Sequence, residues 1–433
     1  MFKFDIQHVS GKARAGVLRT SHGEVATPVF MPVGTAGSVK GVTPDQLRAA
    51  GVGMVLANTY HLLLRPGPET VAALGGVHAM MGWQGPMLTD SGGYQVFSLA
   101  HRRKIDDEGV VFASHIDGSA VELTPRKAVE VQAMLGADVI MQLDECPPAD
   151  ATKEQVAVAV HRSAKWAALC KEAWEESKGE ERRAKGETTE ETTEGRRARG
   201  EERKDNGKEQ EESSSVSSRP SPLALRPSSV SSRPSPFAPR PSLFGIQQGG
   251  VHLDLRAESA ARLTDLDLPG YAIGGLSVGE GHPAMVEVLA AIDDQLPRAK
   301  PRYLMGVGEP RDILAAVAAG VDMFDCVLPT RNGRNAQAFT WQGRLRLRNQ
   351  RHARDRSPLE ETCDCYTCRN FSRGTLRHLF MAKEMLGPTL LTIHNLRFFA
   401  RFTAAIRQAI LDGDLPARTA TWLDQMYPAE EEV

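Results

Sequence analysis

The sequence predicts a (β/α)8 barrel, and three observations lead there. Eight short, almost uninterrupted apolar runs occur along the chain, the pattern of parallel strands buried on both faces. Amphipathic stretches lie between many of them, as crossover helices require. The polar residues attached to these runs gather at their C-terminal ends, which in a barrel converge on one mouth. A doubly wound open sheet is the alternative built from the same ingredients. The 433 residues suit one barrel of about 250 residues with an appendage.

In chain order the candidate strands are PVFMPV (28–33), GMVLANT (53–59), PMLTDSG (86–92), ADVIMQLDE (137–145), LFGIQQG (243–249), YAIGGL (271–276), RYLMGV (302–307) and VDMFDCVL (321–328). Residues 125–135 and 153–174 are examples of the amphipathic connections. Asn58, Asp90, Asp144, Gln248 and Asp325 fall at or near strand ends, beside the turns SGG, QQGG and IGG. A single Asp there is commonly a helix N-cap. Three Asp and a Gln in the same relative position point instead to a site at the mouth.

One segment does not fit the globular pattern. Of the 35 residues from 178 to 212 only Ala184 and Ala198 are apolar, and SSVSSRPSP then occurs twice, at 214–222 and 228–236. Such composition cannot bury enough surface to offset its ordering entropy. The expected organisation is therefore a first part of the barrel (1–177), a disordered insert (178–241), a second part of the barrel (242–335), and a C-terminal unit of hairpin, metal subdomain and helices (336–433).

Net charge is −2, so any affinity for a polyanion must come from local clustering. No apolar run reaches the ~18 residues of a membrane span. The N-terminus, MFKFDIQHVS, lacks the apolar core of a signal peptide, so a cytoplasmic location is expected. In that compartment a tight cysteine cluster favours a metal over disulfides.

That cluster is Cys363, Cys365 and Cys368, a C-x-C-x2-C. Tetrahedral zinc needs a fourth ligand, for which His394 and His378 are the candidates, and four protein ligands would make the site structural. A basic stretch follows the last strand: residues 331–356 hold eight Arg against one acid, Asp355. Within it FTW, QG and RLRLR read as a hairpin with Arg344, Arg346 and Arg348 on one face, suited to phosphate contacts. Asp90 and Asp325 could serve as the carboxylate pair that cleaves a glycosidic bond, one attacking C1′ and one handling the proton. By themselves these features indicate glycosyl chemistry on a phosphate-rich substrate and do not identify it.

TDSGGYQVFSL (89–99), MQLDECPP (141–148), GIQQGG (245–250), YAIGGLSVGEG (271–281), YLMGVGEPRDI (303–313) and MFDCVLPTRNGRNAQAFTW (323–341), with the cysteine cluster and His394, resemble in order the motifs of bacterial queuine tRNA-ribosyltransferases, the tRNA-guanine transglycosylases. The resemblance covers the chain except 178–241. It implies a zinc-bearing barrel that exchanges the wobble guanine of GUN-anticodon tRNAs (Asp, Asn, His, Tyr) for preQ1, as a homodimer. It implies that Asp325 is the nucleophile and Asp90 the general acid/base. Asp90, Ser91, Gly92, Gly93, Tyr94, Asp144, Gln248, Gly275, Leu276 and Met305 would bind the base. Gly306, Val307, Gly308, Glu309, Pro310, Arg311 and Asp312, with Thr330, Arg331, Asn332, Gly333 and Arg334, would contact RNA. Zn2+ would sit on Cys363, Cys365, Cys368 and His394. Cys146 and Val278 resemble the bacterial pocket, narrower than one that admits queuine. A non-catalytic tRNA-binding relative would be expected to lack Asp90 or Asp325, and both are present.

Overall fold

The computed structural model describes residues 2–99, 103–184 and 240–428. Eight parallel strands form its centre: Val29–Pro32, Val55–Ala57, Met87–Thr89, Val139–Met141, Ser242–Gln247, Gly270–Ile273, Arg302–Leu304 and Met323–Cys326. One matches each predicted run, with Ser242 and Gly270 starting theirs one residue early. From the second strand to the eighth each is hydrogen-bonded to the next, and the eighth pairs in parallel with the first through Met323↔Val29 to Cys326↔Pro32. A parallel bridge between Val33 and Leu56 joins the first strand to the second. The sheet therefore closes, which settles the choice against an open doubly wound sheet.

Closure explains the two-sided apolar runs. Val29, Met31, Leu56, Leu88, Val139, Met141, Phe244, Ile246, Ala272, Tyr303 and Met323 fill the interior. Alternate residues such as Phe30, Ile140, Leu243, Tyr271, Leu304 and Phe324 face the surrounding helices. The connection Pro125–Leu135 has the predicted bounds because its ends are chemically marked. Thr124 accepts a hydrogen bond from Lys127 N, proline occupies the first turn, and Gly136 ends the helix at φ +77°.

Three features lie outside the sequence expectations. An antiparallel sheet of Lys3–Ser10, Ala13–Thr20 and Gly23–Thr27 covers the N-terminal end of the barrel, adding Leu18 and Val25 to the interior cluster. A second antiparallel sheet, Arg103–Ile105, Val110–Ala113 and Ala120–Leu123, follows the third strand. The helix expected over 153–174 runs on from Lys153 to Ala184, into the stretch assigned to the insert. At the other end of that stretch Arg240 stacks on Trp174 at 3.8 Å and Pro241 O accepts from Trp174 Nε1 at 2.9 Å. The expectation of disorder concerns mainly 185–239, which lies outside the described residues.

The Arg-rich stretch forms the expected hairpin, Gln337–Thr340 against Gly343–Arg346. Arg344, Arg346 and Arg348 are all exposed. Behind the hairpin the 27-residue helix Leu386–Asp412 buries Leu390, Leu391, His394, Phe398, Phe399 and Phe402. It packs against the first barrel strand and ties the C-terminal unit to the barrel.

Candidate active site and metal centre

Five of the eight strands deliver Asn58, Asp90, Asp144, Gln248 and Asp325 to the mouth. Asp325 lies within the eighth strand, and its Oδ1 accepts from Tyr303 Oη at 2.5 Å and Gly306 N at 2.7 Å. No described residue bonds its Oδ2. Asp90 follows the third strand directly. Thr59 N donates to its Oδ1 at 2.8 Å, and Gln95 Nε2 (2.9 Å) and Asn58 Nδ2 donate to Oδ2. Asp144 receives Ser91 Oγ at 2.9 Å and Gln248 Nε2 at 2.7 Å.

All these donors are neutral, and none of the three carboxylates forms an ion pair among the described residues. Burial therefore acts almost unopposed on their charge. It pushes Asp90 to about 6, with the charge of Asp325 adding to the rise. It pushes Asp144 to about 6 as well, and raises Asp325. Tyr303, raised well above the ordinary phenol range by burial and by the Asp325 charge, stays a neutral donor. Cys146 is pushed up to about 12, chiefly by burial, and remains a thiol.

Backbone shape is matched to this cluster at two glycines. A Cβ on Gly93 would lie 2.5 Å from Asp144 O. Gly275 sits at φ +65°, and a Cβ there would lie 2.5 Å from Gln248 Oε1. The adjoining loop is pinned by Glu280, whose carboxylate accepts from Ser277 N (2.5 Å), Val278 N (3.0 Å) and Gly279 N (3.2 Å).

In the C-terminal unit the three cysteines and His394 come together, all buried. Cys363, Cys365 and Cys368 Sγ lie 3.7, 3.8 and 3.3 Å from His394 Nδ1. Tetrahedral zinc with ordinary Zn–S and Zn–N bonds requires about 3.6 Å between such ligand atoms. His394 Nε2 donates to Phe339 O at 2.8 Å, which fixes the tautomer that leaves the Nδ1 lone pair facing the sulfurs. The donor set and geometry thus fit one metal ion. His378, the competing candidate, is exposed on the helix Arg373–Met381 and takes no part.

Comparison with known proteins agrees. The family model described as queuine tRNA-ribosyltransferase matches residues 8–187 and 210–428. The queuine tRNA-ribosyltransferase of Novosphingobium aromaticivorans is 46% identical over 419 residues, 97% of each chain. That of one Thermus thermophilus strain is 47% identical over 412 residues, 95% of this chain and 91% of its own. That of Thermosynechococcus vestitus is 46% identical over 434 residues, covering 100% and 98%.

The chain belongs to the queuine tRNA-ribosyltransferase family. The family is one of pentosyltransferases, and its model pauses between 187 and 210, inside the segment that reads as an insert. Among the described residues no helix is long and apolar enough to cross a membrane.

The remaining family-motif residues distribute unevenly between surface and interior. Tyr94 is 51% exposed and Met305 half-buried, so both offer flat or apolar surface to a ligand at the mouth. Ser91, Gly92, Gly93 and Leu276 are buried. Of the segments expected to meet RNA, Gly306, Arg311 and Arg331 are exposed, and Glu309, Asp312 and Arg334 half-buried. Val307, Gly308, Pro310, Thr330, Asn332 and Gly333 are buried. Glu309 is bound by Arg344, so one hairpin Arg is committed to the loop 306–312.

The sequence reading missed Tyr303, Thr59, Gln95 and Glu280, and gave Asn58 a position but no role. Tyr303 carried a usable signal, since a phenol in the middle of a buried strand must find a partner. Gln95 lies five residues beyond Asp90, in the first turn of the helix Gly93–Leu99, and only the fold shows that it turns back.

Proposed function

We propose that this protein exchanges the wobble guanine of GUN-anticodon tRNAs (Asp, Asn, His, Tyr) for preQ1 through a covalent aspartyl-ribose intermediate. The supporting observation is the asymmetry of Asp325: Oδ1 is held by two donors and Oδ2 is left unbonded at the mouth. A carboxylate so held presents one oxygen, in one orientation, to an attacked carbon.

The target nucleotide enters flipped out of the RNA loop, its base between Tyr94 and Met305. Asp144 accepts from the base N1–H and amino group. The base carbonyl receives Gly275 N–H and the second Nε2 proton of Gln248, whose first is on Asp144. Asp325 Oδ2 bonds to C1′ as the C1′–N9 bond breaks, and the leaving guanine takes the proton of neutral Asp90, which is left ionised. The incoming base then gives its ring N–H proton to Asp90 and attacks C1′, and the ester to Asp325 breaks. Cys146 and Val278 keep the pocket to guanine and preQ1. Arg311, Arg331, Arg334 and the free hairpin Arg residues contact phosphates.

Cys363, Cys365, Cys368 and His394 would hold one Zn2+, which supplies folding energy to the C-terminal unit and no open coordination position. On family grounds the active form is a homodimer.

Asp325→Asn tests the central step. It should fold, lose exchange of labelled guanine into tRNA, and yield no denaturation-resistant RNA adduct. Near-normal exchange by this variant would show that another group is the nucleophile.

A further inference from the structure

The turn that carries Gln248 is built around a buried cation. Arg256, on the helix Leu253–Thr264, is 0% exposed. Its Nε donates to Gly250 O at 2.9 Å and Nη1 to Gln247 O at 3.1 Å, and Gln247 Nε2 donates back to Arg256 O at 2.9 Å. It therefore grips the carbonyls on both sides of Gln248. It forms no ion pair among the described residues. Burial lowers the guanidinium to about 10, so it is still charged at neutral pH.

A buried charge whose neighbouring acid, Glu280, makes no ion pair with it is costly and calls for a reason. Among the buried polar atoms here that lack partners, Gln247 Oε1 included, two are Arg256 Nη2 and Gln248 Oε1. Both face one spot: a Cβ on Gly275 would lie 2.5 Å from Gln248 Oε1 and 3.8 Å from Arg256 Nη2. A donor with positive charge thus faces an acceptor across the bare backbone of Gly275. On its other side the Gln248 amide meets Asp144 Oδ2 through Nε2 at 2.7 Å. The two neighbours impose the same orientation, because reversal would set Oε1 against a carboxylate and the amide N–H groups against a cation.

We propose that Arg256 is a positioning residue for base recognition, holding the Gln248 amide with Nε2 toward Asp144 and the base and Oε1 away from them. This rests on the reading of the mouth as a guanine pocket. Arg256 touches neither base nor RNA, so its loss should weaken the base step alone. A general loss of fold would weaken everything together.

The test is steady-state exchange with guanine and tRNA varied separately. Arg256→Met should raise KM for guanine at least tenfold and leave KM for tRNA within twofold of wild type. Arg256→Lys, which keeps the charge and reaches one carbonyl, should recover part of the guanine affinity. Should the Met variant not fold, Arg256→Gln takes its place in the comparison. A folded neutral variant with guanine KM within twofold of wild type overturns the proposal. So does a parallel rise in both KM values, or a Lys variant no better than the neutral one. Wild-type protein that neither binds nor exchanges guanine would instead overturn the pocket reading beneath it.

Discussion

At the mouth of the barrel Asp90, Asp144 and Asp325 are held only by amides, hydroxyls and backbone N–H groups. At the floor, Asp138, Asp293 and Asp322 are held by cations or by histidines. Asp322 accepts from both Arg14 Nε at 3.1 Å and Arg302 N at 2.7 Å, and Arg14 Nη2 completes the pair. Asp293 takes Arg302 Nη1 at 3.0 Å and Arg298 Nη2 at 2.6 Å. Asp138 takes His22 Nδ1 at 2.8 Å and Met87 N at 2.9 Å, with His78 Nε2 at 3.4 Å. The rings of His22 and His78 stack at 3.7 Å and 18°, so they cannot both aim an in-plane lone pair at one ion. They clamp a carboxylate and do not form a second metal centre. Burial raises carboxylate pKa at both ends. At the floor the partners outweigh it for Asp138 and Asp293, which are lowered. Asp322 is so deeply buried that it stays raised even beside Arg14. The same residue type is thus clamped by arginine or histidine at one end and held only by amides, hydroxyls and backbone N–H groups at the other.

The largest effect expected from this contrast is at Asp144. Asp144→Asn replaces an acceptor facing the base with a donor, and a site that pairs with polar groups of its substrate loses about 10³-fold or more when one is left unmatched. The fall should appear in kcat/KM for guanine while thermal stability is undiminished. An Asn variant that is destabilised and still active would remove the distinction between mouth and floor.

Asp322→Ala is the counterpart. It strands Arg14 in a buried site, and removing one partner of a buried pair costs about 3 kcal/mol or more. Chemical denaturation should show the loss, while guanine exchange per folded molecule stays near wild type. Reduced kcat with unchanged stability would contradict the assignment.

A smaller effect separates the two ends by pH. Asp144, at about 6 like Asp90, must be ionised to accept from the base, so kcat/KM should fall by about tenfold between pH 7 and pH 5. Stability should move the other way for these groups. Their folded pKa lies above the unfolded value of 3.8, so ionisation costs stability as pH rises through about 6. Asp90→Asn should therefore raise the unfolding temperature most at pH 7.5, by less at pH 5, and hardly at all below the unfolded value of 3.8. Asp138 and Asp293 contribute stability above the unfolded carboxylate pKa that is lost as acid protonates them. An unfolding temperature for Asp90→Asn equal to wild type at pH 7.5 would count against the strain at the mouth.

Much of the mouth was legible because two-sided burial writes a continuous apolar run, after which a polar residue stands out. Asn58, Asp90 and Gln248 each follow a strand within one residue. The floor was not legible. Lys3–Ser10 covers it with mostly exposed or half-buried residues, so it carries no strong period. Arg14, Arg302 and Asp322 look like ordinary surface charges until topology brings 14 next to 322. The helix to Ala184 was cut short because EESKGEERRA reads as solvated, although Glu, Lys, Arg and Ala favour helix. The metal cluster was legible in its cysteines from spacing alone, whereas His394 needed the family motif, since 25 residues separate it from Cys368.

The smallest effect concerns the low-complexity segment, and the comparison of ends says where to cut. The helix Lys153–Ala184 leads away from the mouth after Asp144, and Ser242 N bonds to Asp138 O at the floor. Both attachments of the segment are thus on the floor side of the barrel, remote from the reacting groups. Deleting 185–239 should leave guanine exchange unchanged. Stability should shift by about 1 kcal/mol or less, because loop-closure entropy grows only logarithmically with length. Deleting 178–241 is a different experiment. It also removes Arg240 from the Trp174 ring and Pro241 O from Trp174 Nε1, exposing a tryptophan that is now 9% accessible. That cut should cost roughly 1–2 kcal/mol more than the shorter one, by loss of a cation–π contact and a hydrogen bond. Denaturation midpoints of the two deletions decide it. Equal midpoints would show that the Trp174 contacts contribute nothing. Loss of exchange by the shorter deletion, with full metal content, would show that the segment reaches the mouth after all.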